Sequence, residues 1–515
     1  MSAHQRKTLA VCCVAFFMVL MDLTIVNTAL PTIERNLNAG FSGVQWVVDA
    51  YTLSFAALLL SGGAFADRFG RKCVFQIGMA VFALSSLLCG LAESATQLHL
   101  ARALQGVGAA ALAPASLALL ATAFPAPRDR VRAVSLYAAL SSTALGVGPT
   151  LGGALVSGPG WRWVFFVNVP IAAACLAFGV PALRESKNPQ ARHIDVPGQL
   201  LCIGWLAALT YGFIERGSHP WSELPVAGPL TLAVILLAVF LFVESRAVEP
   251  MLPLSLFRVR LLSATVVVTF AVGFALISVP FFTTQFLQGV QGMSALQAGL
   301  RSLPFTLTLM TTPPIAGRLV NRVGFGKPVA LGALLGALGL WALAGLHPST
   351  PYGDIWWRQA IAGTGFGLSI APLSVAALAA VDARRAGLAS SVVNAARQVG
   401  AALSIALLGA VVATRSHASA LASLLALPPA ARQAGATAIS RSGAQPIHTS
   451  PAGLSQAQVQ HVGATAYSAG IHGAFLIVAG TLLLAGLIAI RWLRIVPETQ
   501  AHPHNVTALQ PHRPI

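Results

Sequence analysis

Asp22, Asp49 and Arg102 are ionisable side chains set inside apolar runs, in "MDLTIVNTALP" (21–31), "QWVVDAYTL" (45–53) and "LARALQGVGAA" (100–110). A charge within a bilayer is expensive, so each of them needs a partner, a water-filled cavity or neutralisation. A carboxyl held there can bind and release a proton near neutral pH, which is the chemistry a proton-coupled carrier requires. At 1.5 Å per helical residue, Arg102 lies about 6 Å, Asp49 about 7 Å and Asp22 about 13 Å below one end of their spans. The long arginine side chain bridges such differences, so pairing among the three would offset their burial. A carboxylate that trades Arg102 for a proton or cation is a switch. The plainer alternatives are a hydrogen-bonding anchor for Asp22 and a solvated mouth residue for Asp49.

The elements that carry these residues follow from composition. The chain is 56% hydrophobic and 9% charged over 515 residues, with a mean hydropathy of +0.74. A hydrocarbon core about 30 Å thick needs roughly 20 apolar residues per helical span. About 14 such runs occur, near 9–31, 44–66, 73–93, 98–123, 131–157, 162–184, 194–216, 224–245, 261–286, 295–316, 327–346, 354–380, 386–414 and 468–490. They are continuously apolar rather than alternating, which excludes a barrel. The expected fold class is an all-α polytopic membrane protein.

The formal charge of +17 is distributed by topology. With the N-terminus inside, about 22 Lys and Arg fall in the tails and inner connections and about 6 in the outer ones. Arg102, Arg301, Arg358 and Arg397 lie within spans. The charge therefore reports orientation, not nucleic acid, and both termini are expected in the cytoplasm. The six cysteines show no CxxC spacing and none lies in an outer loop, so neither a disulfide framework nor a metal site is indicated. The N-terminal run continues through Asp22 to Pro31 with no small-residue cleavage site, and reads as a retained first span.

Two connections are long. Residues 185–195 read as a cytoplasmic linker after an N-terminal six-helix bundle (1–184). Residues 415–467 read as an outer segment with helical character at "ALASLLALPPAARQ" (420–433). Two inserted helices (194–245) precede a C-terminal bundle (261–494), and 495–515 reads as a disordered tail. The turn "ADRFGRK" (66–72) has a counterpart in "VNRVGFGK" (320–327): Asp67 and Asn321 are 254 residues apart, and Arg102 and Arg358 are 256 apart. One offset shared by two features points to internal duplication, the usual architecture of secondary transporters.

The stretch "GGAFADRFGRKCV" (62–74) is a tight inner turn in which Gly70 supplies a backbone conformation closed to other residues. Topology accounts for Arg68, Arg71 and Lys72 but not for Asp67, nor for Gly63, where a small residue would let helices approach. In the fifth span "LGVGPTLGGAL" (145–155), Gly146, Gly148, Pro149, Gly152 and Gly153 make a flat, kinkable face for close packing.

The pattern G-x-x-x-D-R-x-G-R-[KR] resembles the loop signature of the major facilitator superfamily, with Phe65 in place of the usual Leu. The span-5 pattern is similar to the signature of that superfamily's antiporters, compressed here to G-V-G-P. With "WRWVFFVNVPIA" (161–172) and "AGLASSVVNAARQVGAALSIALLG" (386–409), the resemblance to the fourteen-helix drug:proton antiporters covers almost the whole chain. These include multidrug and antibiotic-resistance exporters such as those like the methylenomycin-resistance protein. The resemblance implies two six-helix bundles plus two inserted helices. It implies proton or cation coupling by Asp22 and Asp49 with Arg102 as modulator, and a conformational latch across the halves at Gly63, Asp67, Arg68, Gly70 and Arg71. Asn321 in place of an Asp makes the second latch degenerate.

Substrate contacts are sought in the C-terminal half at Gln285, Gln288, Gln359, Asn394, Arg397 and Gln398, each of which also suits a helix-packing hydrogen bond. Arg397 disfavours a bare cation nearby unless it is paired, which hints at neutral, zwitterionic or anionic substrates. The expected partners are a small-molecule substrate, protons and the lipid bilayer, without nucleic acid, metal or cofactor, and as a monomer in the bacterial inner membrane. An uptake symporter is the alternative, against which the span-5 pattern argues. No nucleotide loop, nucleophile–base pair or metal-ligand spacing supports an enzyme. His472 reads as a lone packing or hydrogen-bonding residue.

Overall fold

Hydrocarbon offers no water to the backbone, so the long apolar runs must satisfy their own hydrogen bonds as helices. A computed structural model describes residues 1–187, 194–217, 219–381, 386–445 and 454–493, and every regular element among them is helical. The first group comprises α1 (Ala3–Ile25), α2 (Leu30–Leu37), α3 (Gly40–Phe69), α4 (Arg71–Leu91), α5 (Ala95–Ala123), α6 (Pro127–Ser157), α7 (Trp163–Phe166) and α8 (Asn168–Ala182). A pair follows, α9 (Val196–Glu215) and α10 (Leu224–Arg246). The last group comprises α11 (Arg260–Gln285), α12 (Ala295–Arg301), α13 (Leu303–Thr311), α14 (Pro313–Val323), α15 (Gly326–Ala344), α16 (Tyr352–Ala379), α17 (Ala386–Ser423), α18 (Pro429–Ser442) and α19 (Gln456–Trp492).

Twelve helices among the described residues are long and apolar enough to cross a membrane. Two further runs expected from the sequence lie on the remaining elements. The run at 295–316 is broken into α12, α13 and α14, because Pro304, Pro313 and Pro314 remove backbone donors and restrict the residues before them. The run at 131–157 lies within α6, a continuous helix of 31 residues that is itself long enough to cross.

Successive long helices alternate in direction and so define two ends of the molecule. One end, the loop end, holds the turn at Gly70; the other, the cap end, holds α2 and α18. In the first group α5 packs against α3 and α4, and α1 against α6; in the last, α11 packs against α17, and α15 against α16 and α19. The groups meet along α3–α17 and α6–α12. The α9–α10 pair lies over the first of these seams, since α9 touches both α3 and α17. Gln199 of α9 pins it there: its amide donates to the Ala57 carbonyl at 2.9 Å, and its carbonyl accepts from the Ser61 hydroxyl.

The 415–467 segment is mostly helical rather than a loop. α17 runs on to Ser423, α18 lies across the cap end against α17, α19 and α3, and α19 begins at Gln456, before the expected start at 468. The reason is apolar burial beyond the membrane-length part of the helices: Ala420, Leu424, Ala436, Ile439, Val459 and Ala466 form a cluster of their own. The 495–515 tail and residues 188–193 of the 185–195 linker lie outside the described residues.

Small residues set how closely the helices approach. Gly365 of α16 lies against the backbone of Gly332 and Gly336 on α15, with no room for a Cβ, whereas Gly480 of α19 faces open space. Gly365→Val is expected to destabilise the protein by about 1–3 kcal/mol, the usual cost of overpacking. Gly480→Ala is expected to be neutral, and thermal denaturation in detergent compares the two.

Candidate functional site

Asp22 and Arg102 meet in the middle of the first group, both fully buried. Arg102 Nη1 lies 2.5 Å from Asp22 Oδ2. The same nitrogen donates to Gln105 Oε1 at 2.7 Å, and Arg102 Nε donates to the Val47 carbonyl at 2.9 Å. The other carboxylate oxygen of Asp22 accepts from Gln105 Nε2 and from Asn168 Nδ2, each at 2.9 Å. Ser86 Oγ accepts from both amides and donates to the Phe165 carbonyl. The guanidinium stands 4.3 Å from the Tyr51 ring centroid and 5.7 Å from that of Phe165, so cation–π contacts complete its surroundings. Helices α5 and α8 thus place donors around one carboxylate on α1, and Ser86 of α4 orients the two amides. Gln105, Asn168, Ser86 and Tyr51 were not singled out from the sequence. The available signal was polarity inside apolar runs, since Gln105 and Asn168 both fall within quoted motifs.

Asp49 does not join this network. It is fully buried, so it is not a solvated mouth residue, and neither carboxylate oxygen has a hydrogen-bond partner among the described residues. The expected grouping of three is therefore a pair plus a lone carboxyl on α3. Arg102 nonetheless reaches that helix at Val47, two residues before Asp49.

The glycine-rich face of α6 lies directly beside the Asp22 helix. Gly148 abuts Thr24 and Ile25, Gly152 abuts Ile25 and Thr28, and Gly153 abuts the backbone of Ala295 and Leu296 on α12. The Pro149 carbonyl meets Gly299 of α12, while Gly146 meets only the flexible end of Met310. One helix therefore packs on α1 with one edge and on the last group with the other. Further contacts join the two groups at the cap end. Gln45 donates to the Ile405 carbonyl at 2.8 Å, Gln288 to the Thr28 carbonyl at 3.0 Å, and Arg35 to Gln445 at 3.2 Å.

At the loop end Gly70 adopts φ +112, the conformation expected of it. The partner of Asp67 among the described residues is Arg71, at 2.8 Å, so the pair closes within its own turn rather than across the halves. Glu185 accepts from the backbone N–H groups of Lys72 and Cys73, tying the turn to the end of α8. Gly63 is not the point of helix contact: a Cβ there would meet Pro114 at an ordinary 3.8 Å, whereas Gly62 lies against the Ala110 carbonyl. Adjacent helical positions point about 100° apart, so a one-residue offset turns the small face away. Arg68 lies on the exposed side of the turn, and the side chain of Asn321 is outside the described residues. Arg358, the counterpart of Arg102, donates instead to the Ala342 carbonyl at 2.9 Å.

The proposed substrate contacts divide. Gln285, Gln359 and Gln398 are buried, and neither amide atom of Gln285 has a partner among the described residues. Asn394 and Arg397 line a cleft between α11, α16 and α17 in the loop-end half. His472 Nδ1 donates to the Ala344 carbonyl of α15 at 3.0 Å, as a packing residue does.

Glu34 of α2, at the cap end, went unnoticed in the sequence. Burial pushes its carboxyl up to about 8, against the opposing pull of Arg35. Its Oε2 has no partner among the described residues, and the Tyr467 hydroxyl of α19 is the other titratable group that senses it.

A bundle of apolar helices with a desolvated ion pair in one group and a polar cleft in the other is the architecture of a multi-pass membrane carrier. The sequence profile of the Major Facilitator Superfamily matches residues 12–405, and the chain belongs to that superfamily. It is 38% identical over 414 residues to the multidrug resistance protein Stp of Mycobacterium tuberculosis, covering 80% of this chain and 77% of that protein. It is 35% identical to the tetracenomycin C resistance and export protein of Streptomyces glaucescens (79% and 76% covered). It is 34% identical to the methylenomycin A resistance protein of Bacillus subtilis (80% and 88% covered). In fold it is similar to a bacterial homologue of the human lysosomal transporter Spinster, with TM-score 0.64 at 16% identity, covering 96% of this chain and all of that one. A D-xylose–proton symporter shares the fold at TM-score 0.57 and 15% identity, with 78% and 89% covered.

Removing one member of a buried ion pair strands the other, at about 3–5 kcal/mol. Asp22→Asn and Arg102→Gln are each expected to lower thermal stability, and the double substitution to lose less than their sum, which a double-mutant cycle measures. Glu34 gives a pH dependence. Solvated, with the cap open, its carboxyl returns toward the ordinary value near 4.5; closed, it sits near 8. Its contribution to closure is full below about 4.5 and is lost as pH rises to about 8. Spin-label distances between α2 and α18 are expected to lengthen over that window in the wild type and not in Glu34→Gln.

Proposed function

We propose that this chain is a proton-coupled exporter of small amphipathic drugs or antibiotics, working by alternating access in the bacterial inner membrane. The observation that carries this reading is the pairing of Arg102 with Asp22 while Asp49 on α3 has no hydrogen-bond partner among the described residues. One fixed cation beside two carboxyls leaves one of them for a proton, and a change of partner would exchange which one. The relatives at 34–38% identity are resistance and export proteins, which supports export over uptake. Fold alone does not separate the two directions, because the symporter noted above shares it.

In this reading the loop end faces the cytoplasm together with both termini, and the cap end faces outward. Two six-helix groups rock about the α3–α17 and α6–α12 seams, with the α9–α10 pair riding on the first. The contacts joining the groups at the cap end support a state closed to the outside. The Asp67–Arg71 pair, closed within its own turn, supports a latch at Gly63–Arg71 that is disengaged in that state. The carrier works as a monomer on its substrate, protons and lipid, needs no cofactor, and catalyses no covalent reaction.

Inside-out vesicles with an acidic interior, followed with a pH-sensitive dye, test the coupling. Added drug is expected to discharge the gradient in the wild type and to fail with Asp22→Asn or Asp49→Asn. Drug-driven proton movement in the opposite direction would establish the symporter instead.

A further inference from the structure

Arg397 is a cation without a counter-charge among the described residues. Arg71–Asp67, Arg102–Asp22 and His219–Glu215 form ion pairs, whereas Arg397 has no carboxylate within 4 Å among the described residues. It lies within a membrane-crossing helix, where an uncompensated guanidinium is costly to hold. Its position is enforced by packing: Gly273 of α11 abuts the Arg397 backbone, and Gly400 abuts that of Phe270, so α17 is drawn tightly onto α11. The side chain is then held by Asn394, whose Oδ1 accepts from Arg397 Nη2 at 2.6 Å. Asn394 itself is oriented by a 3.0 Å bond from its Nδ2 to the Ser390 carbonyl.

The cleft that Arg397 lines has the other parts of a binding site. Thr269, on the facing helix α11, is buried and its hydroxyl has no partner among the described residues, an unsatisfied donor on the same wall. Ser374 adds a hydroxyl, while Val272, Ile370 and Leu373 supply apolar surface. A guanidinium with donors to spare, an idle hydroxyl and an apolar lining are complementary to an acidic oxygen group on an apolar body. The fork of N–H donors matches two oxygens at once, and the ligand's charge would offset the burial of the lone cation. A quaternary or protonated amine would meet repulsion at the same place.

We propose that this cleft is an anion subsite, and that Arg397, with Thr269, selects amphipathic substrates carrying a carboxylate or an ionised phenol or enol. The proposal rests on the exporter reading for its biological meaning but not for its test, because ligand binding is measured without any proton gradient. The cleft lies in the loop-end half of the last group, the side from which an exporter loads.

The experiment uses the full chain in lipid nanodiscs and three fluorescent probes of one shape: 1-pyrenebutyrate, its primary amide, and a pyrenyl-alkyl trimethylammonium. A charge-assisted pair predicts that the wild type binds the carboxylate about tenfold or more tighter than the amide, and the ammonium most weakly. Arg397→Gln is expected to bring carboxylate and amide to within about twofold. Arg397→Lys is expected to keep part of the preference, and Thr269→Val to reduce it. Arg397→Lys and Thr269→Val carry the test if Arg397→Gln does not fold. Equal binding of carboxylate and amide by the wild type, no binding of the carboxylate, or a preference unchanged in the folded variants would overturn the proposal. Equal weakening of all three probes in Arg397→Lys and Arg397→Gln would also overturn it, showing that Arg397 balances a carboxylate of the chain in another state. If vesicles show no proton coupling while the carboxylate preference stands, the exporter reading fails and the subsite does not.

Discussion

A carboxylate and a guanidinium share the interior of the first helix group, and the placement of its helices answers to that pair. Neither charge is tolerable in hydrocarbon alone, and even together they leave lone pairs and N–H groups that must be filled. The chain fills them with Gln105, Asn168 and the Val47 carbonyl, and lays Tyr51 and Phe165 against the guanidinium. Each of those groups comes from a different turn or helix. Satisfying one ion pair therefore dictates where α1, α3, α5 and α8 stand relative to one another, and α4 enters through Ser86. A network so completed has few intermediate arrangements, which is the property wanted in an element that must switch between two states.

Close packing extends that constraint to the rest of the molecule. Without a hydrophobic drive between helices in lipid, association depends on backbone approach at small residues and on hydrogen bonds between helices. The α6 face shows the consequence. Gly148 and Gly152 seat it on the turns of α1 just beyond Asp22, while Gly153 and the Pro149 carbonyl seat it on α12. Any motion of α1 that accompanies a change of partner at Asp22 is thereby in direct contact with the seam between the two groups. A helix rich in Gly and Pro, unsuited to a soluble protein, serves here because its two edges have different neighbours. The same device holds α17 on α11 and sets the position from which Arg397 extends.

The class of the protein was legible without coordinates. Apolar runs of bilayer length, the bias of Lys and Arg and the spacing of the loop and span-5 motifs defined a multi-pass carrier. Asp22 and Arg102 were legible as partners because few alternatives exist for opposite charges in neighbouring spans at comparable depth. Gly70 was legible because a tight turn between two spans needs a positive φ. Gly63 was not correctly read: sequence spacing does not say which of two adjacent glycines faces the neighbouring helix, and the helix rotation chose Gly62. The 415–467 segment was legible in part: helical character showed at 420–433, and burial of small apolar residues against one another carries helix well beyond that stretch.

What the sequence by itself determined about this protein was the kind of solvent around it, the approximate course of its spans and the identity of its membrane-embedded charges. Those depend on composition and on local periodicity, which need no knowledge of neighbours. Only the tertiary structure decided which charges are paired. Arg102 reaches Asp22 and not Asp49, Arg71 closes on Asp67 within one turn, and Arg397 faces a cleft with no carboxylate beside it among the described residues. The physical reason is range: a hydrogen bond is made or lost within about an ångström. That distance is set by how helices far apart in sequence rotate and pack, and not by the residues along any one of them.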